Sequence, residues 1–150
     1  MAREMAVQML YQSDIGGSPL PNIFGTYDLY EHFLRPANRA ELTRERRRVE
    51  EAFAYAQRLV SGTVEHRAEI DAMIRGQADN WRLERMPPVD RNILRLAIFE
   101  MLYERDIPKL VVVDEAIELA KKFGSEQSGR FVNGLLDGLL KQHSFPGSLT

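Results

Sequence analysis

The chain contains no cysteine among its 150 residues, which excludes disulfide bonds, thiolate nucleophiles and cysteine-ligated metal sites. It also lacks an apolar run of about 18 residues, the length needed for a membrane span. Glu4 and Gln8 interrupt the stretch that would have to form the apolar core of a signal peptide. These absences favour a cytoplasmic protein without a membrane segment.

The sequence has no excess of positive charge, since 20 Lys and Arg stand against 22 Asp and Glu, for a net charge of −2. Nucleic-acid-binding domains that act alone usually carry a basic surface, because neutralising phosphates supplies much of their affinity. Any RNA binding must therefore come from a local patch, or from a partner that supplies cations.

The densest basic cluster is Arg-Glu-Arg-Arg-Arg at residues 44–48. Two interpretations remain open. Pairs such as Arg46–Glu50 and Arg47–Glu51 lie i,i+4 apart, so the cluster predicts a solvated, ion-paired helix face. The alternative is a phosphate-binding patch that extends an RNA path.

The sequence motifs of common catalytic and cofactor sites are absent: there is no G-x-S-x-G, no P-loop and no G-x-G-x-x-G. His32, His66 and His143 are not spaced i,i+4 from one another, and none lies beside a carboxylate pair of the kind that binds a metal. The sequence therefore predicts a protein that is not an enzyme and holds no metal or cofactor.

Apolar residues recur at helical spacing along most of the chain, without an alternating pattern long enough for a strand. This predicts an all-α fold of about seven helices, in an N-terminal subdomain of residues 1–78 and a C-terminal subdomain of residues 79–143. The first predicted helix covers residues 2–14 and is ended by Gly16 and Gly17. The others cover residues 26–35, 40–62 and 64–76, then a segment from Pro87-Pro88 to Asp106, one that Gly124 ends, and one that Ser125 caps. The segment 18–21 is predicted to be a loop, and the tail from Ser144 to fray.

The helix that follows Pro88 is apolar on nearly every side, which is typical of a central, buried helix. Gly62 is interpreted as a break or a kink. In the last helix, each interior glycine costs about 0.8–1 kcal/mol relative to alanine. We interpret Gly134 and Gly138 as sites of close helix–helix approach, and Gly129 as a place where a ligand or partner approaches the backbone.

Two aromatic residues have polar neighbours. Tyr11 is followed by Gln12 and Ser13, and Phe131 follows Arg130. Both are compatible with an ordinary core position, and both are also compatible with stacking on an unpaired base.

Three segments of the C-terminal half carry a resemblance. R-x-I-L-R-L-A-I-F-E at residues 91–100 is followed by D-E-A-I-E-L-A-K-K-F-G and F-V-N-G-L-L-D. Together they resemble the NusB family of bacterial transcription antitermination factors. The N-terminal A-R-E-M-A-V-Q-M-L-Y-Q resembles the opening helix of the same family, so the resemblance covers about half of the chain from both ends.

The resemblance implies an all-helical fold of two small subdomains and a function in assembly, without a chemical step. Members of the family bind the boxA element of nascent RNA together with ribosomal protein NusE. The resulting complex helps RNA polymerase to read through terminators, chiefly in ribosomal RNA operons. These are the partners that the resemblance predicts for this chain.

The resemblance also assigns site residues. The RNA-binding residues would be Arg3, Tyr11, Gln127, Arg130 and Phe131. The residues that contact NusE would be Val89, Asp90 and Arg91 at the start of the buried helix. The carboxylate of Asp90 also suits a helix N-terminus without any partner.

The chain departs from the family pattern at two places. Family members generally have several arginines ahead of A-R-E, whereas this chain begins Met1-Ala2-Arg3. Either an arginine-rich N-terminal extension is missing from this sequence, or the chain binds RNA more weakly alone. Gln127 stands where an acidic residue is common, and Gly129 replaces a bulkier residue. Two alternatives remain open: a protein-interaction module that forms a homodimer and binds little RNA, and a regulatory domain of the kind fused to RNA methyltransferases.

Overall fold

The computed structural model describes residues 1–30, 38–78 and 82–150, and within these ranges the regular structure is entirely helical. A π-helical turn, Gln12–Gly16, follows the first helix, and a 3-10 turn, Leu83–Arg85, precedes the fifth. The described residues contain seven α-helices: α1 Ala2–Tyr11, α2 Leu20–Thr26, α3 Arg39–Glu65, α4 Arg67–Gln77, α5 Pro88–Tyr103, α6 Lys109–Phe123 and α7 Ser128–Gln142. The predicted all-α fold is confirmed. None of these helices is long and apolar enough to cross a membrane.

The chain divides into two compact units, Met1–Ser61 and Gly62–Thr150. The division falls inside α3, whereas the sequence places the boundary between subdomains near residue 78. The boundary near residue 78 stays a prediction. Helix α3 runs without interruption through Gly62 to Glu65, so of the two interpretations of Gly62, a break or a kink, the break is wrong.

In the first unit, the helical segment that begins with α1 continues through the π-helical turn and ends at Gly17, whereas Gly16 is the last residue of that turn. Gly17 has a φ of 67°, a left-handed conformation that glycine adopts without a steric penalty. The segment predicted as a loop instead begins α2, with Pro19 as its N-cap and Pro21 in its first turn. Proline is tolerated there because the first helical N–H groups have no partner inside the helix. Half of the helix predicted over residues 26–35, residues 31–35, lies outside the described residues.

Helix α5 is the centre of the second unit. Eleven of its residues are buried, in an unbroken run from Asn92 to Met101 together with Asp90, as its apolar pattern predicts. Gly62 faces the ring of Phe99 so closely that a Cβ at this position would overlap it. A glycine is needed there because of packing against α5.

A buried ion pair joins α4 to α5. Arg95 Nε lies 2.8 Å from Asp71 Oδ1, and its Nη2 lies 3.2 Å from Asp71 Oδ2. Asn92 Oδ1 accepts a further hydrogen bond from Arg95 Nη1 at 3.2 Å. Arg67 Nε approaches the second carboxylate oxygen at 3.5 Å. The buried guanidinium and carboxylate therefore both have several partners, as buried charges require.

The glycines of α7 differ in their surroundings. A Cβ at Gly138 would overlap the side-chain amide of Gln77 from α4, which confirms the predicted close approach at that position. The same prediction for Gly134 is wrong: no described atom lies within 4 Å of where its Cβ would be. The pattern of glycines alone could not separate a packed position from an exposed one.

The C-terminal segment is ordered against the start of α6. The backbone N–H groups of Lys109 and Leu110 donate to the carbonyl oxygens of Ser148 and Leu149, at 3.0 and 2.8 Å. These two donors belong to the first turn of α6 and have no partner inside the helix. The prediction that the tail frays is therefore wrong, since the tail caps a helix.

Candidate nucleic-acid interface

The turn that leads into α7 is organised by two serines. Ser125 N–H donates to Ser128 Oγ at 2.9 Å, and Ser128 N–H donates to the Ser125 carbonyl at 3.1 Å. The N-cap of α7 is Gln127, whose side chain makes no capping hydrogen bond, so the predicted cap Ser125 lies outside the helix. The reciprocal pair resembles a capping box in which a serine hydroxyl replaces the usual carboxylate.

The exposed side of this turn carries Gln127 and Arg130, with Phe131 half-buried beside them. Arg130 has no ion-pair partner in the described part of the chain. The positive end of the helix dipole lies at the same place, because α7 begins at Ser128. A guanidinium and a helix N-terminus together favour the binding of an anionic group such as a phosphate.

The surface at Gly129 has room for a side chain. A Cβ there would lie 3.6 Å or more from Lys121 and Ile117, which is ordinary van der Waals contact. Internal packing therefore does not require a glycine at this position. The interpretation that a ligand or partner approaches the backbone at Gly129 stays a prediction.

Two polar side chains are buried at the starts of these helices: Ser128 is the first residue of α7, and Asp90 lies in the first turn of α5. Burial raises the pKa of Asp90, while the hydrogen bond from Ser128 opposes that shift. The three residues assigned to protein binding therefore differ in accessibility: Val89 and Arg91 are half-buried, and Asp90 is only 4% exposed.

In the first unit, Arg3 and Tyr11 lie at opposite ends of α1, about 12 Å apart at the usual rise per residue. Arg3 is half-buried, and Tyr11 is 39% exposed. Tyr11 borders a groove of about 460 Å³ between the end of α1 and α2. Ile15, which is 51% exposed, lines the same groove. The lining is completed by Gln12, Gly16, Ser18, Asn22, Ile23 and Thr26.

A hydrogen bond from Tyr27 Oη to Gln8 Oε1 holds Tyr27 against the part of α1 that lies between Arg3 and Tyr11. The ring of Tyr27 stacks on Phe53 of α3, with 5.5 Å between ring centroids. Burial, followed by the charge of Glu4, raises the pKa of Tyr27 to about 12. The phenol therefore remains a proton donor across the physiological range.

The basic cluster at residues 44–48 is exposed over most of its length. Arg48 pairs with Glu45 at 3.9 Å, and Arg46 lies over the ring of Tyr30 at 5.7 Å. Glu50, the predicted partner of Arg46, instead accepts a hydrogen bond from Tyr30 Oη at 2.7 Å. The ion-paired pattern predicted from the sequence is therefore only partly formed, which leaves cationic surface on α3.

The five predicted RNA-binding residues fall into two groups, one in each unit. Gln127, Arg130 and Phe131 lie together in the first turn of α7 and its cap, whereas Arg3 and Tyr11 belong to the first unit. Sequence reasoning missed Ser128, although its spacing of three residues from Ser125 was a detectable signal. Across residues 1–30, 38–78 and 82–150, no group of His, Asp or Glu is arranged to hold a metal ion.

Comparison with known proteins gives consistent matches along the chain. The NusB family matches residues 1–141. The transcription antitermination protein NusB of Sorangium cellulosum is 44% identical over 135 residues, which are 90% of this chain and 86% of that protein. The NusB protein of Desulforamulus reducens is 48% identical over 139 residues, 93% of this chain and 87% of that protein.

Among solved structures, the chain is similar to a crystal structure of antitermination factors NusB and NusE in complex with dsRNA. The TM-score is 0.75, the sequence identity is 29%, and the match covers 95% of each chain. The family match, the relatives and this structure agree over nearly the whole length. On these grounds, the chain belongs to the NusB family.

Proposed function

We propose that this protein is a transcription antitermination factor that binds boxA-type RNA together with ribosomal protein NusE. The observation that carries the proposal is the match, over 95% of the chain, to a structure that contains NusB, NusE and RNA. The function is assembly onto an RNA polymerase antitermination complex, without a chemical step. A cytoplasmic location goes with this role, because bacterial transcription takes place there.

The turn before α7 supports RNA contact in the second unit. Arg130 supplies a charge and the N-terminus of α7 a dipole, both suited to a phosphate. Gln127 is exposed and can donate to and accept from a base edge. We assign phosphate binding to Arg130 and base recognition to Gln127 and Phe131, where the ring can stack on an unpaired base.

The groove beside Tyr11 supports RNA contact in the first unit. An exposed tyrosine at the rim of a partly apolar groove is a suitable stacking surface for a base. Arg3, at the other end of α1, would bind the RNA backbone. The exposed arginines of residues 44–48 would extend the same path by charge alone.

Protein binding is assigned to the start of α5. Because Asp90 is buried, Val89 and Arg91 would make the direct contacts with NusE. NusE would also supply positive charge, since the chain itself has a net charge of −2. RNA affinity should therefore rise when NusE is present.

A salt-titrated RNA-binding series tests this function. A labelled boxA-type RNA is titrated with the chain, with and without NusE, at about 50 mM and 200 mM salt, a range over which phosphate contacts weaken strongly. We expect binding that tightens with NusE and weakens with salt. Arg3→Ala and Arg130→Ala should each weaken binding and reduce the salt slope by about 1.

The matched control is Arg105→Ala, which removes an exposed arginine from the loop between α5 and α6. It changes the net charge by the same amount and should leave affinity unchanged. Equal losses for all three arginine variants would point to non-specific electrostatics. The absence of binding by the chain, with and without NusE, would refute the function.

A protein-interaction module that forms a homodimer is the second candidate. The exposed apolar residues Tyr11 and Ile15 favour it, because a groove bordered by such residues also suits a protein contact. Sedimentation velocity over a range of concentrations distinguishes the two. A dimer that dissociates when Ile15 is replaced by serine, without measurable RNA binding, would support this candidate over the first.

A further inference from the structure

The N-terminal part of α3 presents positive charge to its surroundings. Its four arginines at residues 44–48 are exposed, whereas Glu41 and Glu45 are half-buried. Arg44 and Arg47 have no ion-pair partner among residues 1–30, 38–78 and 82–150. Internal ion pairs therefore do not account for these two charges.

Arg46 differs from its neighbours because it lies against an aromatic ring. Its Cζ is 5.7 Å from the centroid of the Tyr30 ring. The Tyr30 hydroxyl donates to Glu50 Oε1 at 2.7 Å, which holds the ring against α3. Tyr30 is nevertheless 43% exposed. Tyr30 and Arg46, which we call the Tyr30 platform, thus present a planar cation backed by a ring that is partly open to a ligand.

This combination suits an unpaired nucleobase better than a carboxylate. Guanidinium planes and aromatic rings both stack on bases, and the neighbouring Arg44 and Arg47 supply charge for phosphates. A carboxylate of an acidic protein would instead bind the N–H edges of a guanidinium and would gain nothing from the ring. The chemistry of the platform therefore favours RNA over an acidic protein.

The Tyr30 platform lies close to the groove beside Tyr11, within the same unit. Thr26 lines that groove, and the next residue, Tyr27, stacks on Phe53 of α3. Four residues of chain span at most about 14 Å, so the backbone of Tyr30 lies within that distance of Thr26. RNA that leaves the groove at this end can therefore reach the platform.

We propose that the Tyr30 platform, together with Arg44 and Arg47, binds an unpaired nucleotide next to the boxA-type element. The base stacks on the Arg46 guanidinium, which the Tyr30 ring supports, and the adjoining phosphates contact Arg44 and Arg47. The contact adds affinity without reading sequence, because every base has a face that can stack. It goes beyond the charge that residues 44–48 contribute, because stacking distinguishes unpaired from paired RNA. The inference rests on the proposed function for its setting.

Three labelled RNAs test the proposal with the complete chain. They are the boxA-type element alone, the element with a short unpaired uridine extension at both ends, and the element with the same extensions paired to complementary strands. Binding is measured at about 200 mM salt, where phosphate contacts are weakened. We expect the unpaired extensions to tighten binding about tenfold, as one stacked base predicts. The paired extensions should add much less, since their bases cannot stack on the platform.

Arg46→Lys is the variant that separates stacking from charge, because it keeps the charge and removes the plane. It should lose the gain from the unpaired extensions and keep the salt dependence. Tyr30→Ala should lose the gain as well, whereas Tyr30→Phe keeps the ring and should retain most of it.

Arg47→Lys is the matched control. It makes the same change at the next residue, which is also exposed, and should retain the gain because a phosphate contact needs only a charge. Thermal unfolding checks that both lysine variants fold like the original chain. An undiminished gain in Arg46→Lys, or an equal loss in Arg47→Lys, would overturn the stacking role.

Competition identifies the class of ligand. Unlabelled oligouridine should displace the extended RNA from the platform, and polyglutamate should not. Equal displacement by polyglutamate would indicate a surface that binds anions by charge, such as an acidic protein segment, and would overturn the assignment to RNA.

The boxA-type element alone separates this inference from the proposed function. If the element binds and the unpaired extensions add nothing, the platform fails and the function stands. If the element does not bind with or without NusE, while oligouridine still binds and loses affinity in Arg46→Lys, the function fails and the platform stands. If neither RNA binds, both fail.

Discussion

Helices α5 and α7 are nearly equal in length, 16 and 15 residues, but their polar residues are used differently. On α5, Arg95 and Asn92 are buried and hydrogen-bonded within the chain. On α7, Arg130 and Asn133 are exposed and have no partner among residues 1–30, 38–78 and 82–150. Internal packing therefore accounts for the polar residues of α5, whereas the outer face of α7 has features that folding alone does not require.

The largest expected effect on stability comes from removing a partner of the buried arginine on α5. Asp71→Ala leaves the buried Arg95 guanidinium without its carboxylate, which should lower the free energy of unfolding by about 3–5 kcal/mol. Urea denaturation measures this. Arg67→Ala, which removes the more exposed partner at 3.5 Å, should cost less than about 1 kcal/mol. Similar losses in both variants would show that the pair with Arg95 is not dominant.

The next effect concerns the packing of α5. In Gly62→Ala the new methyl group would overlap the Phe99 ring, and overpacking of this kind costs about 1–3 kcal/mol. Combining it with Phe99→Leu should recover part of the loss, because the smaller side chain frees the space. If Gly62→Ala proves as stable as the original chain, Gly62 does not pack closely against the Phe99 ring.

The corresponding glycine-to-alanine substitution on α7 should change stability in the opposite direction. Gly134 has no described atom within 4 Å of its Cβ position, so Gly134→Ala should stabilise the protein by about 0.8–1 kcal/mol through helix propensity. A rise in Tm of about 2–4 °C is expected for a protein of this size. A fall in Tm would mean that α7 packs more tightly there than the structure indicates.

The smallest effect depends on pH and concerns Asp90, which is buried in the first turn of α5. Burial raises its pKa above the ordinary value of 3.8, although the Ser128 hydrogen bond opposes the shift. The folded state then binds the proton more tightly than the unfolded state, so this group contributes most stability below 3.8 and less as pH rises through the folded pKa. Asp90→Asn lacks this dependence.

The stability of Asp90→Asn relative to the original chain should therefore rise across that window and remain constant above it. Urea denaturation at a series of pH values from about 3.5 to 7 measures the difference, which isolates one titrating group. A difference that falls as pH rises would mean that Asp90 is stabilised in its charged form, contrary to its burial.

The course of several helices could be predicted because it depends on local chemistry. Pro88 begins α5 and Gly17 ends the π-helical turn after α1, and both act through their own backbone geometry. The all-round apolar pattern of α5 similarly predicted its burial. Gly62 and Gly134 were misinterpreted, because the need for a glycine depends on which side chain lies opposite, and that side chain is distant in sequence.

The candidate site likewise has features that the sequence predicted and features that it did not. The resemblance named Gln127, Arg130 and Phe131, and the structure places all three at one helix start. It did not indicate that Asp90 and Ser128 are both buried. These facts depend on α5 and α7 lying side by side, which brings together residues far apart in the chain.

The amino-acid sequence by itself determined the all-helical class, the family and most of the helix ends, since periodicity, turn residues and motifs are local properties. Tertiary structure alone decided which glycines lie against another side chain, which buried carboxylate is fully hydrogen-bonded, and that the tail caps α6. The physical reason is that burial and hydrogen-bond partners are set by contacts between distant segments. Those contacts exist only after the helices have packed.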